Sequence, residues 1–190
     1  METLTCICLG IGLSAACGFR VFVPRLFMSM ASLSGHLTLA PGFAWIGTYP
    51  ALITFAVATG LEITGYYIPW VDHLLDTLAT PSAIVAGTVV TAAMVTNMSP
   101  MLKWTLAVIA GGGAAGLIQS TTVVARAAST ATTGGLGNPL FATIELGGAV
   151  TTSIMALLAP VVLVALVIVT LILVGRKLLP RKLRPSPASI

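Results

Sequence analysis

The chain places charged residues inside apolar stretches, where each unpaired charge is expensive. Arg20 lies in GFRVFVPRLF, residues 18–27, and Glu62 and Glu145 lie within two later apolar runs. Ionisable residues in hydrocarbon usually face a bundle interior, pair with one another or line a water-filled path. Together with Arg126, these residues predict a polar site near the middle of a membrane. There the arginines attract an anionic group or balance the acids, and a glutamate carries a coupling proton.

Two explanations for the arginines stay open. Arg25 and Arg126 each fall late in an apolar run, where a long side chain can reach the headgroup layer. Arg20 lies deeper, so it needs one of the glutamates as a partner, or an anionic ligand. Pro24 favours a ligand site, because a proline frees a backbone carbonyl in the preceding turn of a helix. A purely structural ion pair is the competing interpretation.

A second group of polar residues follows an Ile-Pro dipeptide. In PWVDHLLDTL, residues 69–78, Asp72 and Asp76 are four residues apart and His73 lies between them. This spacing suits a proton-collecting group or a weak cation site, but the polar face of a short interfacial helix explains it better. No nucleophile, metal cluster or phosphate-binding loop is recognisable. The sequence therefore predicts neither an enzyme nor a bound cofactor or metal.

The composition is that of an integral membrane protein. Of the 190 residues, 57% are hydrophobic and 7% are charged, and the mean hydropathy is +1.04. Soluble domains carry roughly a quarter charged residues, because their surfaces must stay hydrated. Several separate apolar runs also exclude a soluble domain on a single anchor. We expect one all-α transmembrane domain over residues 1–175.

The net charge of +4 comes from the C-terminal end of the chain. Residues 176–190 hold five of the nine basic residues and directly follow an apolar run. This arrangement predicts a cytoplasmic tail that is attracted to anionic headgroups. No aromatic residues are interleaved with these bases, so nucleic acid is not an expected partner.

The apolar segments predict about six membrane crossings, near residues 4–25, 49–68, 82–98, 102–126, 140–158 and 161–174. Pro160 leaves five crossings open, since residues 146–174 would then form one tilted helix. Tyr66, Tyr67 and Trp70 follow the second segment and are typical of an interfacial aromatic belt.

The two halves of the chain, residues 4–98 and 102–174, have the features of an inverted repeat. Each half has a glycine-rich helix that ends near an arginine, then a polar loop, a proline and a helix with a glutamate. Aligning the halves matches Arg25 with Arg126. Three crossings in each half would give the halves opposite orientations, as in many transporters. The glycine-rich residues 111–116 also predict close helix packing, within the chain or in a homo-oligomer.

The chain resembles a bacterial membrane family, domain of unknown function 4126, in the stretches GFRVFVP, LEITGYYIPWVDHLLDTLATP and ARAASTATTGGLGNPLFATIE. The resemblance covers residues 10 to about 160 and implies a helical protein of a bacterial inner membrane. The recurring positions of that family correspond here to Arg20, Glu62, Asp72, Asp76, Pro81, Arg126, Asn138 and Glu145. The resemblance marks these residues as site candidates and implies no activity.

The chain departs from the pattern of that family at Tyr66, Tyr67 and Leu146, where the family often has charged residues. Fewer charges argue against a highly charged pore. The stretch from Arg20 to Arg25 is also similar to the arginine and proline motif of DedA-type lipid-phosphate transporters.

The favoured hypothesis is a small transporter or channel-like protein for a small or lipid-linked anion. Its predicted binding residues are Arg20, Arg25, Glu62, Asp72, Asp76, Arg126, Asn138 and Glu145. The competing hypothesis is a non-transporting scaffold or assembly protein, in which buried Arg and Glu pairs only fix helix register. The expected partners are membrane lipids, an unknown solute or lipid headgroup, and further copies of the chain.

Overall fold

The computed structural model describes the backbone of residues 2–178 and the side chains of residues 3–68, 71, 75 and 77–169. Within this part of the chain, the α-helices are α1 Glu2–Cys17, α2 Val23–Leu33, α3 Tyr49–Gly65, α4 Pro69–Met94, α5 Pro100–Leu106, α6 Gly113–Thr133, α7 Asn138–Leu158 and α8 Pro160–Leu178. A 3-10 helix, Pro41–Gly47, precedes α3, and a π-helical segment, Ala107–Gly112, joins α5 to α6. The described residues form no β-strand, so the predicted all-α fold class is confirmed.

Three helical stretches are long and apolar enough to cross a membrane: Thr77–Met94, Pro100–Thr133 and Asn138–Leu158. A fourth crossing arises if Pro41–Gly47 and Tyr49–Gly65, which meet at an angle of 67°, form one broken span. These lengths make the chain an integral membrane protein. Six crossings stay a prediction, because the other apolar helices within the described residues are shorter than a span.

Helix α1 lies at the centre of the bundle. It packs against α4 and α7, and α6 and α8 also contact it. The Ser14 hydroxyl of α1 donates a hydrogen bond of 2.6 Å to the Gly87 carbonyl of α4 and lies 2.8 Å from the Thr91 hydroxyl. Small and hydroxyl side chains let helices approach closely where lipid supplies no hydrophobic driving force. Short side chains therefore form this contact between α1 and α4.

The π-helical segment packs closely on α4. A Cβ atom added at Gly87 would lie 2.7 Å from the Gly111 carbonyl oxygen and 2.7 Å from the Ala115 Cβ atom. Such distances leave no room for a side chain, so glycine permits this helix contact. The predicted close packing of the glycine-rich residues 111–116 is confirmed at these positions.

The first apolar run is broken where Arg20 lies. Helix α1 ends at Cys17 and α2 begins at Val23, so the predicted single helix over residues 4–25 is wrong. Pro24 falls in the first turn of α2, where its missing N–H costs nothing, and it therefore does not free a carbonyl inside a helix. The break is made by residues 18–22 instead.

Of two further prolines, Pro81 differs from the expectation, whereas Pro160 lies at the predicted boundary between segments 140–158 and 161–174. Pro81 lies inside α4, which runs without interruption from Pro69 to Met94, so the predicted separate interfacial helix is the first part of α4. Pro160 starts α8 after α7 ends at Leu158, so one helix over residues 146–174 is excluded. The predicted basic tail lies outside the described residues from residue 179 onward.

Candidate functional site

The Glu62 carboxylate of α3 holds the start of α2. One oxygen, Oε1, accepts a hydrogen bond of 2.7 Å from the backbone N–H of Val21, and Oε2 accepts one of 3.1 Å from Phe22. Phe22 is the N-cap of α2 and supplies no capping side chain of its own. A carboxylate at a helix N-terminus is favoured by the orphan N–H groups and by the helix dipole. Glu62 therefore stabilises the helix break across 40 residues of sequence.

Arg126 and Glu145 form a bidentate ion pair between α6 and α7. The Nε atom of Arg126 lies 2.8 Å from Oε1 of Glu145, and its Nη2 atom donates to Oε2 of the same carboxylate. Both residues are buried. A buried charge is tolerated when its partner has good geometry and its remaining groups are hydrogen-bonded. The pairing of a late arginine with a glutamate, one of the predicted arrangements, is confirmed.

Arg20 reaches the same carboxylate from the break between α1 and α2. Its Nη2 atom donates a hydrogen bond of 2.9 Å to the Ala142 carbonyl of α7 and lies 3.6 Å from Oε2 of Glu145. The residue is only 2% exposed. Its other two donor atoms, Nε and Nη1, are buried and have no hydrogen-bond partner among the described residues. Arg20 is therefore paired with Glu145 and only partly satisfied.

Tyr66 completes the group and was missed by the sequence analysis. Its ring lies 3.7 Å from the guanidinium carbon of Arg20 and 4.4 Å from that of Arg126. Both distances suit cation–π attraction, which is strongest where water is absent. Because Tyr66 is 7% exposed, its assignment to an interfacial aromatic belt is wrong, whereas Tyr67 is 46% exposed. The spacing of four residues between Glu62 and Tyr66 on one helix was the available signal.

We call Arg20, Tyr66, Arg126 and Glu145 the Arg–Glu cluster. The described side chains in and beside it include three guanidinium groups, counting Arg25, and two carboxylates, counting Glu62. Each oxygen of Glu62 accepts a hydrogen bond from a backbone N–H group, and no ion pair joins Glu62 to Arg20 among the described residues. Positive charge therefore exceeds negative charge among these groups, which favours the approach of an anion.

A polar stripe on α6 leads to the cluster. Gln119, Thr122, Arg126 and Ser129 are all buried and recur every three or four residues, so they lie on one helix face that points into the bundle. Ser129 has a buried hydroxyl without a partner among the described residues, as does Thr59, one turn before Glu62 on α3. Buried hydroxyls on a membrane helix are costly unless something polar meets them. The sequence analysis missed both residues, although each lies three positions from a predicted site residue.

A cavity of about 720 Å³ reaches Glu62 and Tyr66 from the outer side of the bundle. It lies between α2, α3 and α4, and Arg25 also lines it. Arg25 is half-buried and stacks on the Phe22 ring at 5.7 Å, away from the Arg–Glu cluster. The structure thus separates the two arginines of the first apolar run: Arg20 enters the cluster, and Arg25 faces the cavity.

A family model described as a domain of unknown function, DUF4126, matches residues 7–179. The chain belongs to the DUF4126 family. No curated protein and no solved structure matches it.

In this DUF4126 protein, Asn138 contacts α6 at the turn that precedes α7. It is the first residue of α7, and its Oδ1 atom lies 3.3 Å from the Thr130 hydroxyl of α6, so it supports the turn between these helices. The backbones of Asp72 and Asp76 lie in α4, but their side chains lie outside the described residues. The predictions made for these two aspartates and for His73 are therefore untested.

The described part of this DUF4126 chain contains no group of three or more His, Cys, Asp or Glu residues placed to hold a metal ion. The chemistry that the cluster offers is electrostatic. Guanidinium groups present planar sets of N–H donors that match carboxylate or phosphate oxygens. The site is therefore suited to binding an anion.

Proposed function

We propose that this DUF4126 protein is a small multi-pass transporter or channel-like protein. Its site is the Arg–Glu cluster with the neighbouring Glu62, and it handles a small or lipid-linked anion. In this proposal Glu62 is the carboxylate that carries a coupling proton. Intramembrane ionisable residues that face a cavity commonly mark substrate and proton pathways.

The observation that carries the proposal is the incomplete satisfaction of Arg20. Leaving buried donors of a charged group without acceptors costs about 1–3 kcal/mol each. If the ion pair were purely structural, the unsatisfied donors of Arg20 would lower the stability of the fold without any compensating gain. An anion that passes the cluster would supply the missing acceptors. Two neighbouring features support the same function. The cavity beside Tyr66 supplies open space next to the cluster, and the stripe on α6 supplies polar side chains.

The test is anion movement across liposomes that contain the purified protein. Chloride, nitrate and inorganic phosphate serve as small-anion probes, and a fluorescent phosphatidylglycerol serves as the lipid-linked probe. We expect at least one probe to cross faster than in protein-free liposomes. Replacing Arg20 by methionine should reduce that rate about tenfold or more, because one charge-assisted contact of the anion is lost.

Arg20→Met is a favourable variant for this test, because Glu145 keeps its bidentate partner Arg126. Lys103→Met removes a cation of α5 that stacks on the Phe43 ring, far along the chain from the cluster residues, and it should leave the rate unchanged. Movement of every probe at the protein-free rate would refute the proposal, and so would a wild-type rate in a folded Arg20→Met variant.

We further propose six crossings in two inverted halves, with the C-terminal tail in the cytoplasm of a bacterium and the bundle in its inner membrane. In support, the first half contributes Arg20 and Glu62 to this region and the second contributes Arg126 and Glu145. The aligned pair Arg25 and Arg126 does not share this arrangement, since Arg25 lines the cavity instead. Homo-oligomers are proposed through Gly- and Ala-rich helix faces, which let the helices of neighbouring copies approach closely.

This topology predicts opposite sides for two exposed connections. Asn97 lies between α4 and α5, and Leu136 lies between α6 and α7 and is 89% exposed. In a background with Cys6, Cys8 and Cys17 replaced by alanine, Asn97→Cys should react with a membrane-impermeant maleimide in intact cells. Leu136→Cys should react only after permeabilisation. Labelling of both cysteines from the same side would exclude the six-crossing arrangement.

A non-transporting scaffold is the second proposal, and the Glu62 contact favours it. A carboxylate that caps α2 across 40 residues of sequence is a structural device, whatever else it does. In this proposal the Arg–Glu cluster fixes the positions of α2, α3, α6 and α7 for assembly with a partner. The two proposals predict different activities for a variant in which the charged residues of the Arg–Glu cluster are all replaced by apolar residues.

A further inference from the structure

The cavity between α2, α3 and α4 differs from a site for a small inorganic ion in size and in lining. Its volume of about 720 Å³ lies within the range of pockets that enclose organic ligands. Among the described side chains, the polar ones on its walls are Arg25, Glu62, Tyr66 and Ser82, and the other described lining residues are apolar. A small hydrated anion would gain little from such walls, whereas an acyl chain would be well solvated there.

The cavity is continuous with the lipid-facing surface of the bundle. Leu61 of α3 and Leu78 and Val85 of α4 all line it, and these residues are 68%, 62% and 60% exposed. Large apolar side chains that are exposed on a membrane helix face acyl chains, because hydrocarbon is their ordinary solvent. The cavity is therefore open between α3 and α4 on a surface that faces the bilayer.

Arg25 is the cation that lines this cavity among the described residues. Its guanidinium group lines the cavity, and its central carbon lies 5.7 Å from the centre of the Phe22 ring. It forms no ion pair with any carboxylate among the described residues, although Glu62 lines the same cavity. Each Glu62 oxygen accepts a hydrogen bond from a backbone N–H group. Arg25 thus offers N–H donors at one place on a largely apolar wall.

We propose that this cavity binds one anionic phospholipid from the bilayer, with its phosphate at Arg25 and an acyl chain along α3 and α4. This inference rests on the proposed function, since it names the class of substrate. Guanidinium and phosphate match geometrically, and an arginine held near an apolar wall binds a phosphate more strongly than one in water. The bound headgroup would lie beside Tyr66, whose ring contacts both arginines of the Arg–Glu cluster.

The test is lipid binding to the full-length protein in detergent, measured by native mass spectrometry. Phosphatidylglycerol and phosphatidylcholine with identical chains are titrated in parallel. We expect phosphatidylglycerol, which is net anionic, to bind about tenfold more tightly than zwitterionic phosphatidylcholine. Arg25→Met should remove this preference, because it removes the cation that favours a net negative headgroup over one carrying its own positive charge. Ala58→Phe, which fills the half-buried wall of α3, should weaken binding of both lipids.

Lys103→Met is the matched control, because Lys103 also stacks on a phenylalanine ring, at 5.0 Å, but does not line the cavity. It should keep the full preference for phosphatidylglycerol. Equal binding of the two lipids by the wild type would overturn the inference, as would an unchanged preference in a folded Arg25→Met variant. Binding measures the lipid site alone. If small anions cross the membrane but the protein shows no lipid preference, the inference is wrong and the proposed function stands. If the lipid binds but no probe is transported, the lipid site stands and the proposed function is wrong.

Discussion

Glu145→Met is expected to destabilise the folded protein by about 3–5 kcal/mol, the cost of leaving a buried charge without its partner. The reason is that Glu145 is the carboxylate shared by Arg20 and Arg126, and it is buried with them. Both guanidinium groups would remain over the Tyr66 ring with no described carboxylate in ion-pair contact. The measurement is unfolding by dodecyl sulfate in mixed micelles, followed by circular dichroism.

The control for this prediction removes the arginines as well. The variant Arg20→Met, Arg126→Met and Glu145→Met leaves no unpaired charge in the cluster, so it should regain most of the lost stability, since a buried ion network is often replaceable by apolar residues. Arg20→Met alone should cost far less than Glu145→Met, because the bidentate pair survives. If Glu145→Met were as stable as the wild type, Glu145 would not be the carboxylate that holds both arginines.

The triple variant also separates the two proposed functions. If the protein is a transporter, a folded triple variant should lose anion or lipid movement, because its binding donors are gone. If the protein is a scaffold, the wild type and the triple variant should both fail to move any probe, and assembly should survive the replacement. The comparison depends on stability being measured first, since an unfolded variant would lose either function.

The helical class and the membrane location follow from composition, because few charges and repeated apolar runs leave no other stable fold. The ends of the helices do not follow so simply. The helix break at residues 18–22 depends on Glu62, which lies 40 residues from Phe22 in sequence. A local pattern cannot reveal an acceptor that only the folded chain supplies. Pro81 shows the opposite case, in which a strong local breaker lies inside α4.

The members of the candidate site were largely predictable, but their pairing was not. Arg20, Arg126 and Glu145 stand out in the sequence because charge is expensive in hydrocarbon. Which arginine meets which glutamate depends on the helix positions, and both arginines meet Glu145 rather than one glutamate each. Tyr66 was misassigned because aromatic residues at the end of an apolar run usually lie at the interface. Its role depends on the two guanidinium groups that converge on its ring.

Glu62→Ala is expected to destabilise the protein by about 2–4 kcal/mol, because the Val21 and Phe22 N–H groups lose their acceptors at a partly buried helix start. Glu62→Gln should lie between the wild type and Glu62→Ala, since an amide has one acceptor oxygen and its NH₂ group would oppose the second N–H. The measurements are unfolding in mixed micelles and hydrogen exchange of these two amides. Thr64→Ala, an exposed change on the same helix, should alter stability by less than about 0.5 kcal/mol.

Proton coupling can be tested at Glu62. A protonated carboxyl group has fewer hydrogen-bond acceptor sites than a carboxylate. Proton binding at Glu62 would weaken its hold on Val21 and Phe22, and thereby on the segment that carries Arg20 into the cluster. Glu62→Gln, which cannot ionise, should therefore abolish uptake driven by a pH gradient in proteoliposomes while the protein stays folded. Uptake at the wild-type rate in this variant would reject the coupling role and leave Glu62 as the structural cap of α2 alone.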